Sequence, residues 1–144
     1  MKTVVQRVSN ASVIIEDKLI NEIAHGYLIY VGFTQGDNLD TVSKMADKII
    51  NLRIFEDDDN KLNRSIKDVK GEILAISQFT LYGDTKGNNR PSFTKALDKK
   101  EATILYDYFL TSLNSRIVSK GGVFGSDMKI SAVNDGPVTI IIEL

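Results

Sequence analysis

Tyr27-Leu28-Ile29-Tyr30-Val31-Gly32-Phe33 decides how the rest of the chain is read. The run is apolar, rich in aromatic and β-branched residues and too short for a core helix, so it reads as a buried strand. The period changes directly after it: Leu39, Val42, Met45, Ala46, Ile49 and Ile50 recur at helical spacing, with Asp37 or Asn38 as the cap. Upstream, Val4, Arg7-Val8 and Ser12-Val13-Ile14-Ile15 are strand-like and interrupted by Ser9-Asn10-Ala11, which predicts strand, turn and strand. Downstream, Leu52-Arg53-Ile54-Phe55 leads into the acidic turn Glu56-Asp57-Asp58-Asp59-Asn60, and residues 72–81 read as one long strand. Residues 83–89 form a polar loop, and Pro91 is placed to open a helix. Ala96, Leu97, Ile104, Leu105, Tyr108, Phe109 and Leu113 supply that helix's apolar positions. Residues 129–133 and 138–142 close the chain as two strands about Asn134-Asp135-Gly136-Pro137. Strands outnumber helices and no strand-helix-strand alternation runs throughout, which predicts an α+β fold of largely antiparallel β-sheet with two main helices.

The 144 residues, 42% hydrophobic and 26% charged, suit a single domain spanning residues 1–144 with one core. No long apolar run and no leader-like start appears, so a soluble, cytoplasmic protein without membrane attachment is expected. Cysteine is absent, which removes disulfides, thiolate metal sites and a cysteine nucleophile. With 18 basic and 19 acidic residues the net charge is −1, so no general attraction to phosphate is built in and any RNA contact must be local.

Several chemistries find no support. His25 is the only histidine, so paired-histidine metal motifs are excluded, and no G-x-S-x-G elbow accompanies it; a surface or strand-edge role is expected. The acidic run from Asp57 has Leu62 where a calcium loop needs glycine, and reads as a solvated turn. Residues 83–87 lack phosphate-loop spacing. Gly121-Gly122-Val123-Phe124-Gly125 is a loop that either admits a ligand close to backbone or simply precedes the last strands. No metal or cofactor is expected.

Two segments stand out. Ser77-Gln78-Phe79-Thr80-Leu81 places polar groups at the end of a buried strand, where each needs a partner; they either bond neighbouring strands or serve a site. Asn134-Asp135-Gly136-Pro137 reads as a hairpin turn. Gly-Pro also has a cis form costing only about 0.5–1 kcal/mol, which could aim neighbouring carbonyls in one direction, towards an ammonium for instance.

Ser77-Gln78-Phe79-Thr80-Leu81 and Asn134-Asp135-Gly136-Pro137-Val138-Thr139 resemble the two signature motifs of the D-aminoacyl-tRNA deacylase family, formerly the D-tyrosyl-tRNA deacylases. The resemblance extends along the chain through Arg7-Val8, Ala11-Ser12-Val13, Leu52-Arg53-Ile54-Phe55, Lys61-Leu62-Asn63, Arg90-Pro91-Ser92-Phe93 and Phe124-Gly125-Ser126-Asp127-Met128. Asn60 where glycine is usual, Leu62 where methionine is common and Ser126 where alanine is usual are small departures.

The resemblance implies a barrel-like deacylase fold and a homodimer with its active sites at the subunit interface. Gly136-Pro137 of one chain would enter the pocket of the other. Their carbonyls would hold the α-ammonium of the substrate while its ester lies near Phe79 and Thr80. An L side chain would then strike Gly136-Pro137, whereas D residues and glycine would fit. Ser77, Gln78, Phe79 and Thr80 are the implied catalytic residues; Gly136, Pro137, Arg7, Phe124 and Met128 are those for substrate binding and chiral selection. Backbone N–H groups near Phe79 and Thr80 would form an oxyanion site. Thr80 would either attack the ester or orient it, and the absence of a triad-like base favours orientation with help from the ribose 2′-OH. The competing expectations are nucleic-acid binding without catalysis, which near-neutral charge disfavours, and an esterase for small aminoacyl esters.

Overall fold

The computed structural model describes residues 1–144. Its elements are β1 (Lys2–Ile15), β2 (Lys18–Ile23), β3 (Gly26–Gly32), α1 (Leu39–Ile50), β4 (Arg53–Glu56), β5 (Leu62–Ser65), β6 (Glu72–Ser77), a 3-10 turn (Phe79–Tyr82), α2 (Lys99–Asn114), β7 (Ser119–Gly121) and β8 (Lys129–Glu143). The main sheet runs β2-β1-β3-β6-β7, with β8 on the other edge of β1, and β4 and β5 form a separate hairpin. Pairing is antiparallel from β1 to β2, β3 and β8 but parallel between β3 and β6 and between β6 and β7. Side chains draw β7 towards β2: the Asn21 amide donates to the Gly121 carbonyl (2.7 Å) and the Lys120 ammonium to that of Glu22 (2.7 Å), giving the sheet its barrel-like closure.

The break at Ser9-Asn10-Ala11 is not a turn. β1 is continuous, and this is where it changes partner: residues 2–8 pair with β3 and residues 11–15 with β2. Ser9 is an extra residue against β8, whose register steps from Val8↔Asn134 to Asn10↔Val133. The expected hairpin at 134–137 is likewise corrected. β8 is one strand, and between the pairs Val8↔Asn134 and Gln6↔Thr139 four residues of β8 stand opposite Arg7 alone. Turn-forming residues serve a large bulge here.

Alternation along β3 explains the core. Tyr27, Ile29 and Val31 face a cluster of 22 buried residues under α1 and α2, while Leu28 faces a smaller one of seven between the sheet's inner faces. A strand buried on both sides has no polar face to show, hence the unbroken apolar run. Asn38 caps α1 by accepting from the N–H groups of Asp40 and Thr41 (3.0 and 3.1 Å). α2 begins at Lys99, not Pro91: Leu97 first donates to the Phe33 carbonyl (2.9 Å), pinning the chain in extended form, and Asp98 then caps the helix through the Lys100 N–H (2.9 Å).

The acidic turn is held by the Asp57 carboxylate, which accepts from the Asn63 amide and from the N–H groups of Lys61 and Asp59. These bonds, the Asn63 one foremost, keep its carboxyl below the usual range. Asn60 has φ 59, a left-handed conformation that asparagine tolerates in place of glycine.

Phe109 is fully buried on α2 and Ile104, on the same helix, is 59% exposed. Phe109→Ala should cost about 3–5 kcal/mol in urea unfolding, and Ile104→Ala should stay within about 0.5 kcal/mol.

Candidate active site

β6 delivers the first motif. Ile76 is buried and Ser77 half-buried, and the parallel ladder ends when Gln78 donates to the Val31 carbonyl (2.7 Å). The strand expected to reach residue 81 therefore stops at Ser77. Gly32 lies under the end of β6 so closely that a Cβ there would sit 2.9 Å from the Gln78 carbonyl oxygen, and the chain turns across it as a 3-10 turn. The polar groups are consequently not buried at a strand end: Ser77 and Gln78 are half-buried, Thr80 is exposed and Phe79 is 57% exposed.

Ser77, Gln78 and Phe79 form one wall of a cavity of about 310 Å³, and residues 124–128 form the other. Phe124 and Met128 thus line the same cavity as the first motif. Met128 packs against Gly122, where any Cβ would collide with its sulfur. Tyr106 of α2 donates its hydroxyl to the Ala75 carbonyl (2.8 Å) and its ring lies 5.7 Å from that of Phe124, so the helix fixes both walls. Burial raises the Tyr106 phenol above its usual range, leaving it a neutral donor.

The Gln78 amide donates to the Thr80 hydroxyl oxygen at 2.5 Å. No carboxylate or imidazole bonds that hydroxyl, and His25 lies at the opposite end of β6, exposed at the β2–β3 turn with its ring 4.9 Å from Phe55. Nowhere do three His, Asp or Glu side chains gather where they could hold a metal ion.

The second motif is a braced projection. Gly136 and Pro137 are exposed, joined by a cis peptide, and Gly136 has φ 120. A Cβ on Gly136 would lie 2.9 Å from the Arg7 guanidinium and 2.8 Å from Val138. Arg7, only 5% exposed, donates from Nε to the Asp135 carbonyl (3.2 Å) and from Nη1 to that of Ile54 (3.0 Å), binding β8 and β4 to β1. Its ion pairs with Asp135 and Glu56, at 3.3 and 3.6 Å, involve half-exposed carboxylates and are secondary. From the other side, the Asn134 amide donates to the carbonyls of Arg7 (2.9 Å) and Val138 (3.1 Å) across the base of the bulge. Sequence reasoning gave Asn134 no role. The signal was its residue type, since asparagine commonly bonds backbone where a chain reverses.

The chain does not bring its two motifs together. Register aligns Ser77 with Val31, Thr3 and Ile142, whereas Asn134 aligns with Val8, Gly26 and Glu72 at the other end of β6. Five residues along a strand amount to about 17 Å, with further strand spacings between.

A family model described as D-Tyr-tRNA(Tyr) deacylase matches residues 4–143, spanning both motifs. The chain belongs to this family. It is 48% identical to a D-aminoacyl-tRNA deacylase of Petrotoga mobilis and 50% identical to one of Flavobacterium psychrophilum, each over 99% of this chain and 97% of the relative. Among solved structures it is similar to the c-Myc DNA Unwinding Element Binding Protein, with a TM-score of 0.94 and 38% identity over 100% of this chain and 99% of that one. Where this family member departs from the motif pattern, Leu62 is exposed on β5 and Ser126 lines the cavity. No helix is long and apolar enough to cross a membrane.

Asn134→Asp keeps the shape of the side chain but removes both of its donated hydrogen bonds. It should cost about 1–3 kcal/mol in urea unfolding, whereas Asp135→Asn, which alters only a half-exposed ion pair, should cost less than about 1 kcal/mol.

Proposed function

We propose that the chain hydrolyses the ester between a D-amino acid and the 3′-terminal ribose of tRNA, releasing both, as a homodimer in which each active site uses both chains. Family membership over nearly its whole length supports the reaction. The shared site rests on one observation: Ser77 to Phe79 line a cavity, while Gly136-Pro137 projects from the opposite end of the sheet, beyond its own chain's reach.

Phe79 and Thr80 head the 3-10 turn, and the opening N–H groups of a helical turn have no partner within it. They would face the oxyanion as water attacks the ester carbonyl carbon. The carbon–oxygen bond to the ribose then breaks, the ribose oxygen takes a proton, and the amino acid leaves as its carboxylate. Thr80 orients the substrate: its oxygen is engaged by Gln78 and no base takes its proton. The neighbouring ribose 2′-OH assists the water.

Selection against L substrates falls to backbone. Carbonyls of the partner subunit's Gly136 and the partner subunit's Pro137 would hold the α-ammonium, so that an L side chain collides with them while a D side chain points away. Glycine, lacking a side chain, would also be removed. Arg7 supports this wedge from behind, and Phe124 and Met128 line the adenosine or aminoacyl pocket. Such proofreading belongs in the cytoplasm, where charged tRNA is used. DNA binding, suggested by the name of one structural relative, is the second reading; a net charge of −1 weighs against it as the main role.

Incubation with matched D- and L-aminoacyl-tRNA should release the D-amino acid alone, with measurable turnover kept in Thr80→Ala. Equal rates on both enantiomers would overturn the proposal. The shared site is tested by mixing two inactive variants. Phe79→Pro removes a backbone donor at a position that tolerates proline, and Gly136→Ala disturbs the wedge. Random mixed dimers should recover about a quarter of wild-type activity, since half are mixed and each of these holds one intact site. No recovery from verified mixed dimers would show that each site lies within one chain.

A further inference from the structure

Charge is distributed unevenly along this nearly neutral chain. Residues 84–100 carry Lys86, Arg90, Lys95, Lys99 and Lys100 against Asp84 and Asp98, a formal +3, so the remainder carries −4 of the total −1. Including Glu101 still leaves +2. Only Lys95 is neutralised, by Asp84 at 2.7 Å; the other four cations enter no ion pair. Residues 85–95 are exposed without a break.

This segment is fastened beside the candidate active site. Asp84 and Ser92 exchange two backbone hydrogen bonds of 2.8 Å, closing the loop at its base. The Thr34 hydroxyl donates to the Lys95 carbonyl (2.6 Å), and the Phe93 ring meets that of Phe79 edge-on at 5.0 Å. At the other end of the segment, the Lys99 ammonium lies 3.0 Å from where a Cβ on Gly125 would be, at the rim of the 310 Å³ cavity. The segment that carries the unpaired cations is therefore anchored at the edge of the cavity through Phe93 and Lys99. A wider groove of about 1010 Å³ at the far end of β6 also has basic residues, but there Arg116 is paired with Asp47, Lys67 bonds Asn51, and Glu72 is part of the lining.

We propose that residues 84–100 are the surface that follows the phosphodiester backbone of the RNA substrate as it leaves the cavity, with Lys86, Arg90 and Lys100 as its free phosphate contacts. The proposal rests on the deacylase reading. A pocket of this size encloses little more than the ester and its terminal nucleoside, so affinity for the rest of a polyanion must come from outside it. Cations neutralising phosphates release counterions, which makes the contribution dependent on salt.

The test compares the wild type with Lys86→Gln/Arg90→Gln/Lys100→Gln, keeping Lys99 because it borders the cavity. Hydrolysis of D-aminoacyl-tRNA and of 3′-O-D-aminoacyl-adenosine is followed across a salt series. On tRNA, kcat/KM should fall about ten- to a hundredfold at low salt, and the slope of its logarithm against log salt should lessen by about 2, three single-strand phosphate contacts having been removed. The adenosine ester, which has no backbone, should be hydrolysed at the wild-type rate. Equal losses on both substrates, an unchanged tRNA slope, or the same loss from Lys67→Gln/Lys70→Gln would overturn the proposal. Binding of uncharged tRNA over the same salt series decides it without turnover. If the wild type hydrolysed neither ester, the deacylase reading would fail, while an unchanged binding slope in the triple variant would refute the RNA surface.

Discussion

Burying the Arg7 guanidinium costs free energy that hydrogen bonding must offset, and that condition organises the region around it. Arg7 is the only charged side chain among the buried residues. Its donors reach the backbone carbonyls of Ile54 and Asp135, so β1 is tied to the β4–β5 hairpin on one side and to the bulge of β8 on the other. Four residues of β8 stand opposite this one residue of β1, and unsupported they would be a loose loop. The guanidinium from within and the Asn134 amide across the base leave the segment few ways to move.

The fold was legible where one local period dominated. Residues 27–33 and 39–50 could be assigned because a strand covered on both faces and a half-buried helix each have a distinct pattern. The errors share a different cause. Ser9-Asn10 and Asn134-Asp135-Gly136-Pro137 suit a turn and a bulge equally, and the outcome depends on a partner strand far away in sequence. The end of β6 was set by contact with Gly32, and the start of α2 by the Leu97–Phe33 hydrogen bond, so neither Thr80 nor Pro91 carried the relevant information. The parallel pairing of β3 with β6 was equally hidden, because an apolar run does not state its direction.

The candidate site was legible through its motifs but not through its geometry. Ser77, Gln78, Phe79, Phe124 and Met128, which the resemblance singled out, line one cavity. For Arg7 the resemblance implied only a place in substrate binding and chiral selection, and its burial and carbonyl partners emerge only once β1, β4 and β8 are assembled. Asn134 shows the same limit: its two acceptors, the carbonyls of Arg7 and Val138, converge only when the bulge exists.

Backbone is a sound material for discriminating mirror-image substrates. Enantiomers present the same groups, so a pocket of adaptable side chains could accommodate either by changing rotamers. A main-chain projection clamped at both ends has no rotamers to change. It separates the two only if its position is held to a fraction of the size of a methyl group. The clamps around residues 134–138 are where such precision would reside, and Gly136 leaves no room to build a side chain between the bulge and Arg7. On the proposed reading, stability and selectivity would be coupled at Arg7: the hydrogen bonds that make its burial tolerable are the ones that brace the projection.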